Sequence, residues 1–126
     1  MLFRSNRWER GLAVEAWAGT PVWVHGDLQA NNLLFRNGAL SGVLDWGLAG
    51  VGDPASDLTA AWSLFEGRAR AAFRAAVGVD DATWARGRTW ALIEGVLGLS
   101  YYRGHREVLA QAGRRVIDQV LADADE

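Results

Sequence analysis

Two short apolar runs, Asn32 to Phe35 and Leu40 to Trp46, are joined by Arg36-Asn37-Gly38, and this arrangement constrains the fold more than any other feature of the chain. Asn-Gly suits the left-handed backbone of a tight turn, so the two runs should return antiparallel as a hairpin. Ahead of them, Pro21 to His25 is rich in strand formers and too short for a helix, and it reads as a buried strand. A short helix over Arg7 to Trp17, stopped by Gly19-Thr20-Pro21, is expected to open the chain. After Gly52-Asp53-Pro54 the pattern becomes helical. Asp57 can cap a helix continuing through Trp62 and Phe65, and a second helix is expected from Arg68 to Val77. A long third helix follows Asp80-Asp81, with Trp90, Ile93, Leu97 and Tyr101 on one face. Its glycines, Gly87, Gly95 and Gly98, are costly in an isolated helix and point to close packing against a neighbour. A last helix carries Leu109, Ala112, Val116 and Val120 on one stripe and runs into a frayed acidic tail, Ala122 to Glu126. The reading is an α+β fold, mostly α-helical, with a small β-hairpin region near its start. At 126 residues the chain is sized for a single domain, 1–126.

Composition removes whole classes of function. A net charge of -2 gives no basic footprint for nucleic acid or an anionic membrane. With no cysteine there is no disulfide, thiolate metal site or thiol nucleophile, and a cytoplasmic location is the expectation. The first residues, Met-Leu-Phe-Arg-Ser-Asn-Arg, carry charge without an apolar stretch, so neither a secretory signal nor a membrane anchor is expected. All 13 basic residues are Arg, which excludes every mechanism that needs a lysine.

The chemistry lies in His25-Gly26-Asp27-Leu28-Gln29-Ala30-Asn31-Asn32, followed by Val43-Leu44-Asp45-Trp46-Gly47. This is the form of a kinase catalytic loop, in which an Asp accepts the proton of the substrate hydroxyl and an Asn five positions later holds a metal ion. Those positions are Asp27 and Asn32. A second Asp after the following strand ligates the magnesium that bridges the nucleotide phosphates, and Asp45 occupies that slot. The hairpin between them should carry both carboxylates to one cleft. Carboxylate and amide oxygens suit a hard cation such as Mg2+ better than zinc. His25 is a poor metal candidate; its ring is expected to bond local backbone and fix the loop.

Together with Gly52-Asp53-Pro54-Ala55-Ser56-Asp57-Leu58, these motifs resemble the aminoglycoside phosphotransferase family and its choline kinase-like relatives. Four linked parts occur in family order: His-Gly-Asp-Leu with the later Asn, Asp-Trp, Gly-Asp-Pro, and Asp-Leu. The resemblance implies a protein-kinase-like C-terminal lobe in which Asp27 is the catalytic base and Asn32 and Asp45 bind the cofactors, Mg2+ and ATP, with GTP an open alternative. It also implies that Asp57 is a carboxylate bracing the catalytic loop, while Asp53 reads as a turn residue. The implied activity is transfer of the γ-phosphoryl group to a hydroxyl of a small molecule, with an aminoglycoside antibiotic among the candidate acceptors. The family's N-terminal nucleotide lobe is expected to be absent, because only 24 residues precede His25 and no lysine is available to anchor phosphate. The chain alone is therefore expected to be inactive without an ATP-binding lobe. The rival reading is a non-catalytic truncated fragment or binding module on the kinase C-lobe plan. Either way an exposed apolar face is expected, to be covered by the missing lobe or by self-association.

Trp62, Trp84 and Trp90 are assigned to the core, since aromatics at helical spacing usually pack there. Glu94, Tyr101, Tyr102 and Glu107 are the residues an acceptor pocket would draw on; a solvated helix face is the competing explanation.

Overall fold

A computed structural model describes residues 8–123. After a helical turn over 8–12 come strand β1 (Val22–Val24), a 3-10 turn (Ala30–Asn32), β2 (Leu33–Arg36), β3 (Ala39–Val43) and β4 (Gly50–Gly52). A second 3-10 turn (Pro54–Thr59) runs directly into helix α1 (Ala60–Ser63), followed by α2 (Gly67–Val77), α3 (Asp81–Tyr102) and α4 (Glu107–Ala122). The strands form two separate antiparallel pairs, β1 with β4 and β2 with β3. The expected hairpin is present, with Asn37 and Gly38 both at positive φ, 51° and 78°. A register shift at Leu34/Phe35 twists it.

Helix packing supplies the core. Leu58, Ala61, Trp62, Trp84, Ala91 and Val120 are buried together, with Phe73, Val79, Leu92 and Val116 against them. Close approach follows from small residues spaced four apart on α3: Thr83, Gly87, Ala91 and Gly95 form its buried ridge. A Cβ at Gly87 would lie 2.6 Å from that of Leu58, and one at Gly113 would lie 2.7 Å from the Gly95 carbonyl oxygen. Buried Arg70 ties the ends together by donating to the carbonyls of Ala61 and Phe65 and to the side chains of Asp123 and Gln119. Asp123 also accepts from the Trp62 indole at 3.0 Å, so the chain is held in place up to that residue; the rest of the expected frayed tail lies outside the described residues.

Five expectations need correction. The opening helix ends at residue 12, well before Trp17, because Arg86 takes the Glu15 carbonyl at 3.0 Å and stacks over the Trp17 ring; Arg7 lies outside the described residues. The strand at 22–24 is not buried: Trp23 is 80% exposed, since a two-stranded ribbon covers only one of its faces. The helical segment after Pro54 is capped by Asp53, which accepts the Ala55 N–H at 2.9 Å, leaving Asp57 free for another task, and α1 stops before Phe65. The face of α3 bearing Trp90, Leu97 and Tyr101 is open and Trp90 is not core, because the small-residue ridge packs closer. On α4 the inward residues are Ala110, Gly113 and Val120, with Leu109 and Ala112 turned outward. Trp62 and Trp84 are core as expected, with ring centroids 4.9 Å apart. Among the described residues no helix is long and apolar enough to cross a membrane.

Candidate active site

Antiparallel pairing of β1 with β4 sets Val22 opposite Gly52, where β4 ends, and the 3-10 turn that follows carries Asp57 back to the His25 end of β1. Asp57 exploits this. One carboxylate oxygen accepts the His25 backbone N–H at 2.7 Å, and the other accepts that of Gly26 at 2.8 Å. Gly26 has φ +82°, and a Cβ there would stand 2.5 Å from the Leu48 carbonyl oxygen, so only glycine fits this bend.

The His25 ring closes the loop from the other side. Its Nδ1 accepts the Asp27 backbone N–H at 3.1 Å and its Nε2 lies 2.8 Å from the Leu44 carbonyl, which assigns the proton to Nε2. The ring is buried and meets Trp46 edge-on at 4.6 Å. The backbone-fixing role expected of His25 thus has direct partners on both nitrogens.

Asp27 is held by amides. Asn32 Nδ2 donates to its backbone carbonyl at 2.9 Å and to Oδ2 at 3.1 Å, while Gln29 Nε2 donates to Oδ1 at 2.6 Å. With its amide protons committed to Asp27, Asn32 has its carbonyl oxygen left to meet a cation. Asp45 follows a residue wired to both motifs: the Leu44 N–H donates to the Asn32 carbonyl at 2.8 Å, and the Leu44 carbonyl faces His25. Asp45 itself sits at φ 58°, a left-handed bend that a non-glycine residue adopts at a cost of order 1 kcal/mol. The loop itself brings Asp27 and Asn32 into contact, and the hairpin returns the chain so that Leu44, next to Asp45, meets Asn32 and His25, with no hydrogen bond joining Asp45 to Asp27 or Asn32.

Glu94 completes the acidic rim. It lies on α3 two turns beyond Gly87, on nearly the same face, where the 3-10 turn packs. The residue as a whole keeps solvent contact, yet its carboxyl end is hemmed in, and loss of hydration pushes its pKa up to about 7. A hydrogen bond with Thr59 opposes this, and the charges of Asp27 and Asp57 reinforce it. Of the acceptor candidates read from the sequence, Glu94 is the one that feels the charges of Asp27 and Asp57. Gln29 and Thr59 were given no role from the sequence: Gln29 lies inside the catalytic-loop string at a position whose identity that chemistry does not require, Thr59 lies outside it, and only the fold sets Gln29 against Asp27. Among the described residues no three His, Cys, Asp or Glu side chains converge as a metal site. A cavity of about 550 Å³ lined by Arg68, Arg70, Arg74, Trp84, Arg88 and Asp123 includes none of the loop residues.

Residues 4–90 match the phosphotransferase enzyme family. The chain belongs to that family. As a phosphotransferase-family chain it is 32% identical over 91 residues to the uncharacterised protein YcbJ of Bacillus subtilis (strain 168), covering 71% of this chain and 28% of that protein. It is 37% identical over 59 residues to an aminoglycoside 3'-phosphotransferase of Escherichia coli, covering 47% of this chain and 22% of that enzyme. Its fold is shared with the crystal structure of the aminoglycoside phosphotransferase APH(2'')-Ib, ADP-bound, at a TM-score of 0.52 and 23% identity, over 94% of this chain and 42% of that one. This phosphotransferase-family chain thus spans less than half the length of the relatives it matches.

Proposed function

We propose that the chain is the catalytic-loop lobe, residues 1–126, of an ATP-dependent phosphotransferase that phosphorylates a hydroxyl of a small molecule. The observation that carries this reading is the Asp27 carboxylate gripped by Asn32 and Gln29 on a loop that Asp57 and His25 brace from both sides. Asp27 accepts the hydroxyl proton as the acceptor oxygen bonds to the γ-phosphorus and the bond to the departing ADP breaks. Asn32 fixes the carboxylate so that it need not reorganise during transfer, and an incoming hydroxyl takes the place of the exposed Gln29 amide on Oδ1.

The donor set suits magnesium, because an Asn oxygen and an Asp carboxylate are hard ligands of the kind this ion shares with phosphates and water. Asn32 and Asp45 would hold it, and when bound it neutralises charge on the β- and γ-phosphates. With no lysine in the chain, the phosphate-gripping half must come from further sequence or another polypeptide. The apolar face that would receive it includes Trp23, Phe35, Leu40, Trp46, Leu48 and Val51, all more than half exposed.

The test is transfer of labelled γ-phosphate from ATP to a panel of aminoglycosides and simpler amino alcohols, using the protein together with its nucleotide-binding part. Asp27→Asn should cut turnover by about 10³-fold with the fold intact, the range for removing a general base. Turnover within tenfold of the parent would refute the assignment. A raised magnesium requirement in Asp45→Asn is the accompanying expectation.

A further inference from the structure

Arg86 on α3 joins three segments of the chain through one guanidinium. Its Nε donates to Asp53 Oδ2 at 2.7 Å and its Nη2 to Asp53 Oδ1 at 3.3 Å, while Nη2 also meets the Thr83 hydroxyl at 3.0 Å. Nη1 donates to the Glu15 carbonyl at 3.0 Å, and the guanidinium carbon stands 5.5 Å from the centroid of the Trp17 ring. Every nitrogen of the side chain is thus engaged. The side chains of Arg86 and Asp53 are only 11% and 23% exposed, so water competes weakly and a forked ion pair fixes geometry better than it would at the surface.

Both segments that Arg86 holds to α3 lead to the catalytic loop. Residues 13–21 form neither helix nor strand and run straight into β1 and His25. Asp53 heads the 3-10 turn: its Oδ1 accepts the Ala55 N–H at 2.9 Å, and its carbonyl accepts the N–H and the hydroxyl of Ser56 at 3.3 and 3.2 Å, one residue before Asp57. On the other side of Asp57, Leu58 lies against Gly87, the neighbour of Arg86, where a Cβ would come within 2.6 Å of it. Helix α3 therefore grips the turn on either side of Asp57, by the ion pair at Asp53 and by close packing at Leu58. Asp57 in turn accepts the N–H groups of His25 and Gly26, at 2.7 and 2.8 Å.

We infer that Arg86 is a positioning residue for phosphotransfer: by locking Asp53 and the stretch through Glu15 and Trp17 to α3, it sets Asp57 where that carboxylate can hold His25-Gly26-Asp27. The inference rests on Asp27 as the base, and Arg86 acts on it through Asp57. Transfer geometry tolerates little displacement, so a loosened strut costs rate more than binding. Lysine is a poor substitute, because one ammonium cannot fork onto Asp53, reach the Glu15 carbonyl and lie flat on Trp17 together.

Amide hydrogen exchange on the 126-residue chain tests the tie without nucleotide. Arg86→Ala should speed exchange at His25 and Gly26 about tenfold, the factor for one lost hydrogen bond to a charged group, with a smaller change at the buried residues Ala91 and Val120. Arg86→Lys should fall between alanine and the parent, and it decides the matter by itself should the alanine variant not fold. In an Asp57→Asn background, where the strut is already cut, Arg86→Lys should add less than about twofold at the two loop amides. With the nucleotide-binding part present, Arg86→Lys should lower kcat by about fivefold and leave KM within about twofold, the mark of an interaction used in the transition state. Unchanged exchange at His25 and Gly26, equal acceleration at Ala91 and Val120, or an effect that adds in full to that of Asp57→Asn would each overturn the inference. So would a raised KM with kcat unchanged. Any of these in a protein whose Asp27→Asn variant stops turnover leaves the phosphotransfer reading standing. If Asp27→Asn keeps turnover, that reading fails and the role of Arg86 in transfer fails with it, whatever the exchange rates.

Discussion

Replacing Asp57 by Asn isolates the strut that holds the catalytic loop. The carboxylate accepts two backbone N–H groups, at 2.7 and 2.8 Å, and hydrogen bonds to a charged group contribute about 1.5–3 kcal/mol each. Asn keeps one acceptor oxygen but sets an NH2 group against the second N–H, so one bond is lost and the survivor loses its charge assistance. The expected cost is about 2–4 kcal/mol. At a urea slope of about 1.5 kcal/mol per M, the unfolding midpoint should fall by about 1.3–2.7 M. Circular dichroism in a urea series reads the midpoint, and amide hydrogen exchange at His25 and Gly26 reads the strut itself, with faster exchange expected at both. A midpoint shift below about 0.5 M with unchanged exchange at the two amides would refute the claim that Asp57 holds the loop.

Two further outcomes follow from single contacts. Gly113→Ala should destabilise by about 1–3 kcal/mol in thermal or urea unfolding, because its new Cβ would meet the Gly95 carbonyl oxygen and the Leu99 amide nitrogen, both at 2.7 Å; an exposed helical glycine would instead gain stability from alanine. Glu94, with its pKa raised from 4.5 to about 7, holds a proton in the folded state that the unfolded chain has already released, so stability should fall as pH rises from about 4.5 to 7. Glu94→Gln should flatten that slope in urea midpoints measured at pH 5 and pH 7.5, and an unchanged slope would count against a desolvated carboxyl.

The catalytic strip was readable because its parts are local. An Asn-Gly turn specifies its own positive φ, and the spacing from Asp27 to Asn32 specifies a loop in which one side chain reaches back to the other. The bracing role of Asp57 came only with the family resemblance; pattern alone made it a helix cap, a post that Asp53 holds instead. The apolar periodicity of α3 misled in the same way. Trp90, Leu97 and Tyr101 share a face, but hydrophobicity does not say which face is covered, and the smaller ridge of Thr83, Gly87, Ala91 and Gly95 allowed the closer packing.

By itself, then, the order of residues determined the hairpin, the loop that joins Asp27 to Asn32 and the succession of helices, since each depends on neighbours within a few positions. Tertiary structure alone decided what lies beside what: Arg86 ending the first helix early, Glu94 set where the charges of Asp27 and Asp57 repel its own, and an aromatic stripe on α3 left open. The physical reason is that turns and caps are settled by local backbone energetics, whereas burial and electric field arise from residues far apart in sequence, whose meeting no local pattern encodes.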